Sequence, residues 1–176
     1  MSSRQSRCPR RNFLQTGAAA VAGAMLAGTA PGAADEPRKR TEFQIACMTL
    51  PYHAHPLQRA LDGIKGAGYQ YVAWGTTHKE PEGEVPVMPA DAPPQKAKEL
   101  AARCRDMGLE PLMMFSMIYP EDPKAIEVLT ARIKQASAGG LPQVLTFGHT
   151  EGGNRKVWVE RFKKLAPIAR DHNVML

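Results

Sequence analysis

The residues of this chain that could do chemistry sit in short polar stretches, each following an apolar run. The richest is "FGHTEGGNRKVW", which sets His149 and Glu151 beside a double glycine. An imidazole can move a proton near neutral pH or ligate a metal, and glycine-rich backbone leaves N–H groups free to meet an anion. His149 is the strongest single candidate for a catalytic group, with Glu151 beside it as a substrate-binding residue. The stretch "MTLPYHAHP" offers Tyr52, His53 and His55. Two positions apart, His53 and His55 fall on one side of an extended segment; they are either a ligand pair or loop histidines packed beside Pro51 and Pro56. In "YVAWGTTHKE", Trp74 either stacks on a sugar face or caps a core, and His78 and Glu80 either touch substrate or are solvated. Met114, Met117 and Tyr119, around "FSMIYPED", suit a pocket wall or a core equally. No Walker loop, serine elbow, CxxC or HExxH occurs, which removes the support for phosphate grips and covalent hydrolases.

Positioning these groups falls to a repeating unit. "FQIACMTL" is β-rich, and Leu57, Leu61 and Ile64 follow at helical spacing until Gly66 and Gly68 end the helix. "YQYVAW" is the next strand, followed by a Pro- and Gly-rich loop from Gly75 to Pro94 that is long enough to act as a lid. Ala97, Leu100, Ala101 and Cys104 form the next helical stripe, Gly108 closes it, and "LEPLMMFSM" is the third strand. Pro123 opens a helix through Ile126, Leu129 and Ile133, which Gly139 and Gly140 end before "PQVLTFGH". Trp158, Phe162, Leu165 and Ala169 line a fourth helix, Asn173 ends it, and "VML" opens a fifth strand.

Four βα units and the start of a fifth strand predict an α/β protein with a parallel sheet and right-handed crossovers. An open doubly wound sheet and part of a (β/α)8 barrel share that pattern, and periodicity leaves both open. The first turn lacks the glycines of a phosphate loop, and the last strand has no helix to cover it, which count against the open sheet. Part of a barrel would instead expose strand edges and an apolar inner face.

The first 34 residues read as an export signal. A basic start is followed by an apolar run rich in Ala and Gly from Gly17 to Ala30, then small residues, with cleavage expected between Ala30 and Ala34. Arg10 and Arg11, followed by Phe13 and Leu14, resemble a twin-arginine pattern, with Pro9 and Gln15 departing from its commonest neighbours. The run, about 14 residues, is too short to span a bilayer stably. Export to the periplasm or the extracellular space, through the twin-arginine translocase, is the expectation. Removing residues 1–34 takes away four arginines and no acid, so the net charge drops from +6 to +2. No cluster of Lys and Arg interleaved with aromatics remains, so nucleic acid is not an expected partner. Residues 35–41 are a charged linker. Cys8 leaves with the signal, and Cys47 and Cys104 read as small core residues rather than a disulfide or ligand pair.

From about Phe43 to Leu176 the chain resembles the sugar phosphate isomerase/epimerase family, whose fold is a xylose-isomerase-like TIM barrel. "ALDGIKGAGYQYVAW" is similar to that family's first helix, Gly and second strand. "AKELAARCRDMGLEPLMMF" is similar to its second helix and third strand, and "FKKLAPIARDHNVML" to the helix leading into strand five. The resemblance implies that residues 42–176 are the N-terminal half of such a barrel, about four βα units plus the start of strand five. It implies a sugar or sugar phosphate as substrate and a divalent metal (Mn, Mg, Zn or Co) polarising the sugar oxygens. The reaction would be proton transfer next to a carbonyl, or a hydride shift. It places the metal ligands Glu, Asp, His and Glu beyond Leu176, so this chain is expected to be incomplete and inactive alone. The sequence departs from the pattern in having Ala73 where members often carry Glu at the end of strand two, and Asn173 where Gly is common. Ala73 and the absence of the metal carboxylates from this chain keep a second expectation open, a non-catalytic exported carbohydrate-binding or interaction module using Trp74, Tyr52 and His149. Self-association through open strand edges is a third.

Overall fold

A computed structural model describes residues 43–149 and 151–176. Arg10, Arg11, Phe13 and Leu14, expected to belong to an export signal, and residues 35–41, expected to be a linker, lie outside the described residues. Strands β1 (Ala46–Met48), β2 (Tyr71–Trp74), β5 (Glu110–Phe115) and β6 (Gln143–Leu145) make a four-stranded sheet, all parallel, in the order β1-β2-β5-β6. Helices α1 (Leu57–Gly66), α2 (Pro94–Asp106), α3 (Ala125–Gly139) and α4 (Arg155–Asp171) alternate with them. Met175 then pairs in parallel with Gln143, its N–H donating to Pro142 O at 2.8 Å while Val144 N donates to Met175 O at 2.9 Å. The predicted fifth strand begins where expected.

The strand order decides between the two architectures. Each strand joins the same edge that its predecessor left, and crossovers of one hand then set every helix on one face. A doubly wound sheet instead reverses at a switch point and covers both faces. This sheet never reverses, so the chain folds as an arc of a barrel. The register shows the two faces. Trp74, Met114 and Val144 stand in one buried row, packed with Leu61, Ala101, Cys104, Leu129, Ile133 and Leu165 from the helices. The alternate row holds Met48, Ala73, Met113 and Gln143. Ala73 is buried there, Met48 and Met113 are half-buried, and Leu145 and Met175 on the same side are exposed.

Helix ends follow the sequence closely. Asn173 takes φ 52°, the left-handed conformation that Asn tolerates better than other residues with a side chain, and it stops α4 two residues after Asp171. Cys104 is fully buried and Cys47 half-buried, both as free thiols. Pro167 lies inside α4, on its exposed side.

The stretch from Gly75 to Pro94 is not the open loop expected. Thr77–Glu80 (β3) and Gly83–Pro86 (β4) form an antiparallel hairpin. Lys79 N donates to His53 O at 2.7 Å, Val87 N to Thr76 O at 2.9 Å, and Leu57 N to the Glu80 carboxylate at 3.0 Å. The hairpin is thus fastened to the first loop and to the start of α1. Beyond it, Gln135 of α3 is buried and donates to Pro89 O and Ala92 O, both at 2.8 Å, holding the chain flat before α2.

Candidate functional site

In a parallel sheet wound this way, groups that follow the carboxyl ends of the strands gather at one end. The loops after β5 and β6 are tied to each other there. Ser116 N donates to Leu145 O at 2.8 Å, Thr146 Oγ1 donates to Ile118 O at 2.7 Å, and Arg161 of α4 reaches back to Asp122 O. Aromatic rings fill the space between. Phe115 and Phe147 lie 5.5 Å apart, Tyr119 meets Phe147 edge-on at 4.7 Å, and the His149 ring stacks on Tyr119 at 3.7 Å with only 15° between the planes. The imidazole is exposed, with one face held flat on the phenol ring.

Beside it is a cleft of about 460 Å³ lined by Glu121, His149, Arg155 and Trp158, with three glycines, 148, 152 and 153. Among the described residues Glu121 Oε2 is buried without a hydrogen-bond partner. A buried carboxylate oxygen left unpaired costs free energy until a donor reaches it, so Glu121 is poised for one. A Cβ on Gly153 would fall 3.2 Å from Glu121 Oε1 and 3.2 Å from His149 Cβ. Glycine at 153 therefore lets the carboxylate loop and the histidine loop close on one point. Asn154 caps α4 by accepting from Val157 N at 3.1 Å, which sets Arg155 and Trp158 on the first turn. Trp158 stacks on Phe162 at 4.0 Å, so its ring is held from behind. A carboxylate, an imidazole, a guanidinium and one aromatic face are what a polyhydroxylated molecule requires: acceptor, proton carrier, anion partner and stacking surface.

The structure separates the remaining expected residues from this cleft. Trp74 does not face the mouth: it is 1% exposed, in the row of β2 that packs against the helices. Alternation along the strand puts it on the opposite face from Ala73. His78 is not solvated; it is 1% exposed, and Nδ1 lies 2.8 Å from His55 O. Glu80 serves the α1 N-terminus. The chain after β1 coils into a 3-10 turn, Leu50–Tyr52, rather than continuing extended, so His53 and His55 do not share a side as a ligand pair. His53 Nδ1 turns back to Leu50 O at 3.2 Å, and Tyr52 is 43% exposed. Met114 belongs to the helix-facing core, while Met117 is exposed. Glu151 is exposed in the His149 loop and does not line the cleft. Glu121 was absent from the expected set. Its one signal is position, as an acid shortly after the carboxyl end of the third strand.

Among the described residues no three of His, Cys, Asp and Glu come together as a metal site. The residues present do not by themselves make up the divalent centre that the resemblance implies, and no step below runs through a metal. Among the described residues no helix is long and apolar enough to cross a membrane.

No family model matches the chain, and no curated protein matches it. Among solved structures the chain is similar to a xylose isomerase domain protein from Planctomyces limnophilus, at 16% identity and a TM-score of 0.45, over 67% of this chain and 45% of that one. The chain thus spans less than half the length of the structure it matches.

Proposed function

We propose that the cleft between the loops after β5 and β6 binds a sugar, and that Glu121 and His149 serve proton transfer at a sugar carbon next to a carbonyl. The observation that supports this reading is the convergence of Glu121, with its unpartnered carboxylate oxygen, and the stacked His149 on Gly153 in one cleft. On this reading His149 takes the proton from carbon. The electron pair moves onto the carbonyl oxygen, giving an enediolate whose charge Arg155 balances; Glu121 carries the hydroxyl proton from one oxygen to the other, and His149 returns its proton to the former carbonyl carbon. Glu121 accepts a substrate hydroxyl. Residues 1–34 would direct export.

A non-catalytic carbohydrate-binding role is the second reading, favoured by the run of packed rings from Phe115 to His149. Two measurements separate the readings. Calorimetry of the full chain against a panel of aldoses and ketoses should show binding that E121Q weakens about tenfold, the worth of one charge-assisted hydrogen bond. Proton NMR in D2O should show exchange at the carbon next to the carbonyl, lost in H149A. Binding that resists EDTA, without exchange, supports the second reading. No sugar binding, or equal binding by E121Q and the parent, removes both.

A further inference from the structure

We infer a second small-molecule site, under the β3–β4 hairpin, which takes a compact monocarboxylic acid with an apolar body and a hydroxyl group. A cavity of about 320 Å³ opens there between the hairpin and helices α1 and α2, and its lining shares no residue with the cleft above. That volume falls at the lower end of small-ligand pockets, which run from about 300 to 1,000 Å³.

Three observations define the occupant. His78 lines the cavity and is 1% exposed, and its Nε2 is buried with no hydrogen-bond partner among the described residues. Nδ1 lies 2.8 Å from His55 O, and a carbonyl oxygen can only accept. Nδ1 therefore carries the hydrogen, and in the neutral ring Nε2 is an acceptor awaiting a donor such as a hydroxyl. Lys96 also lines the cavity, and among the described residues its ammonium has no hydrogen bond or ion pair. The other charged groups on the wall have partners. Glu80 accepts from Leu57 N, Glu99 from Gln95, and Arg103 donates to Gln58. The first turn of α2 holds no acid, so the helix end adds to the positive field around Lys96. The wall's two carboxylates and two cations sum to zero, and Lys96, exposed, is the charged group without a partner among the described residues, so it is the one that an anionic group would meet. Leu57, Val87, Met88 and Leu100 supply apolar wall for the body of the ligand.

The site is formed in advance. The hairpin is fixed by Lys79 N to His53 O, Val87 N to Thr76 O and Leu57 N to Glu80, and Met88 O is held by Arg132. A pocket that needs no ordering on binding wastes little of its interaction energy.

The test uses the full chain and three probes that differ by one group each: 4-hydroxybenzoate, benzoate and 4-methylphenol. Calorimetry and ligand-observed NMR should show 4-hydroxybenzoate binding about tenfold more tightly than benzoate, which lacks the donor for His78, and more tightly than 4-methylphenol, which lacks the anion for Lys96. K96Q should bring 4-hydroxybenzoate down to the affinity of 4-methylphenol. Leu100→Trp, which fills the cavity, should abolish binding of all three, with helix content by circular dichroism confirming that the variant is folded. Sugar binding at the other cleft should be untouched by either variant. No binding of any probe at millimolar concentration, equal affinity for all three, or binding undiminished in both variants would overturn the inference.

Discussion

Gly75 gives the sharpest quantitative check on how the first loop is seated. A Cβ placed there would lie 2.7 Å from Leu50 N, 2.8 Å from Leu50 Cα and 2.9 Å from Leu50 Cβ. Carbon atoms rest at about 3.5–4.0 Å, so the two segments must part by most of an ångström, and the obstacle is backbone that no rotamer change relieves. The parting also breaks a buried link, because Gly75 N donates to Thr49 Oγ1 at 2.9 Å and Thr49 N donates to Ala73 O at 3.0 Å. Overpacking costs about 1–3 kcal/mol and a buried donor left unpaired about 1–3 kcal/mol more, the two overlapping because one movement causes both. Alanine narrows the unfolded ensemble and returns about 0.4–1 kcal/mol. G75A should therefore destabilise by about 2–4 kcal/mol in equilibrium urea unfolding, with an unchanged slope and a lower midpoint. A G75A midpoint within error of the parent would refute the close approach of Gly75 to Leu50.

Three further outcomes follow from other parts of the fold. Q135L leaves Pro89 O and Ala92 O without their donor and should cost about 2–4 kcal/mol by the same urea assay, with faster proteolysis between residues 87 and 94; an unchanged midpoint refutes the clamp. Burial pushes the Cys104 thiol up, against smaller opposing effects of Trp74, Arg103 and Arg105. The unfolded thiol ionises near pH 8.5, so the stability this group confers is complete below that value and is lost as pH rises through the raised folded one, at up to about 1.4 kcal/mol per pH unit. C104A should lose that alkaline slope in unfolding measured from pH 8 to 10.5, and an identical slope in both proteins counts against the assignment. P167A restores an N–H inside α4 and removes a ring from its exposed side, so it should raise stability by about 1–3 kcal/mol, read as a higher Tm; a lower Tm would show that the proline fits its helix without strain.

The sequence made the βα units legible because their signals are local. Apolar spacing marks each helix, and a glycine or Asn173 marks its end, with no need for tertiary information. The hairpin was hidden for the opposite reason. "THKE" and "GEVP" show no apolar alternation, and what makes them strands is the bonding of Lys79 to the first loop and of Glu80 to α1, contacts distant in sequence. Trp74 stayed open between sugar and core, and the structure gives the core, because a strand buried on both sides reads the same whichever face an aromatic takes. His149 stood out by residue type and by its glycines, whereas Glu121 gained its place only when the loops after β5 and β6 closed on Gly153.

The monotonic strand order bears on how the polypeptide is made. Every strand after β1 in the order β1-β2-β5-β6 pairs with one already synthesised, and none must wait for a later segment to be inserted between existing neighbours. A nascent chain emerging at about 5–20 residues per second can therefore build the sheet in the direction of translation, each new unit covering the edge left by the last. The order of assembly and the direction of synthesis agree across the four strands.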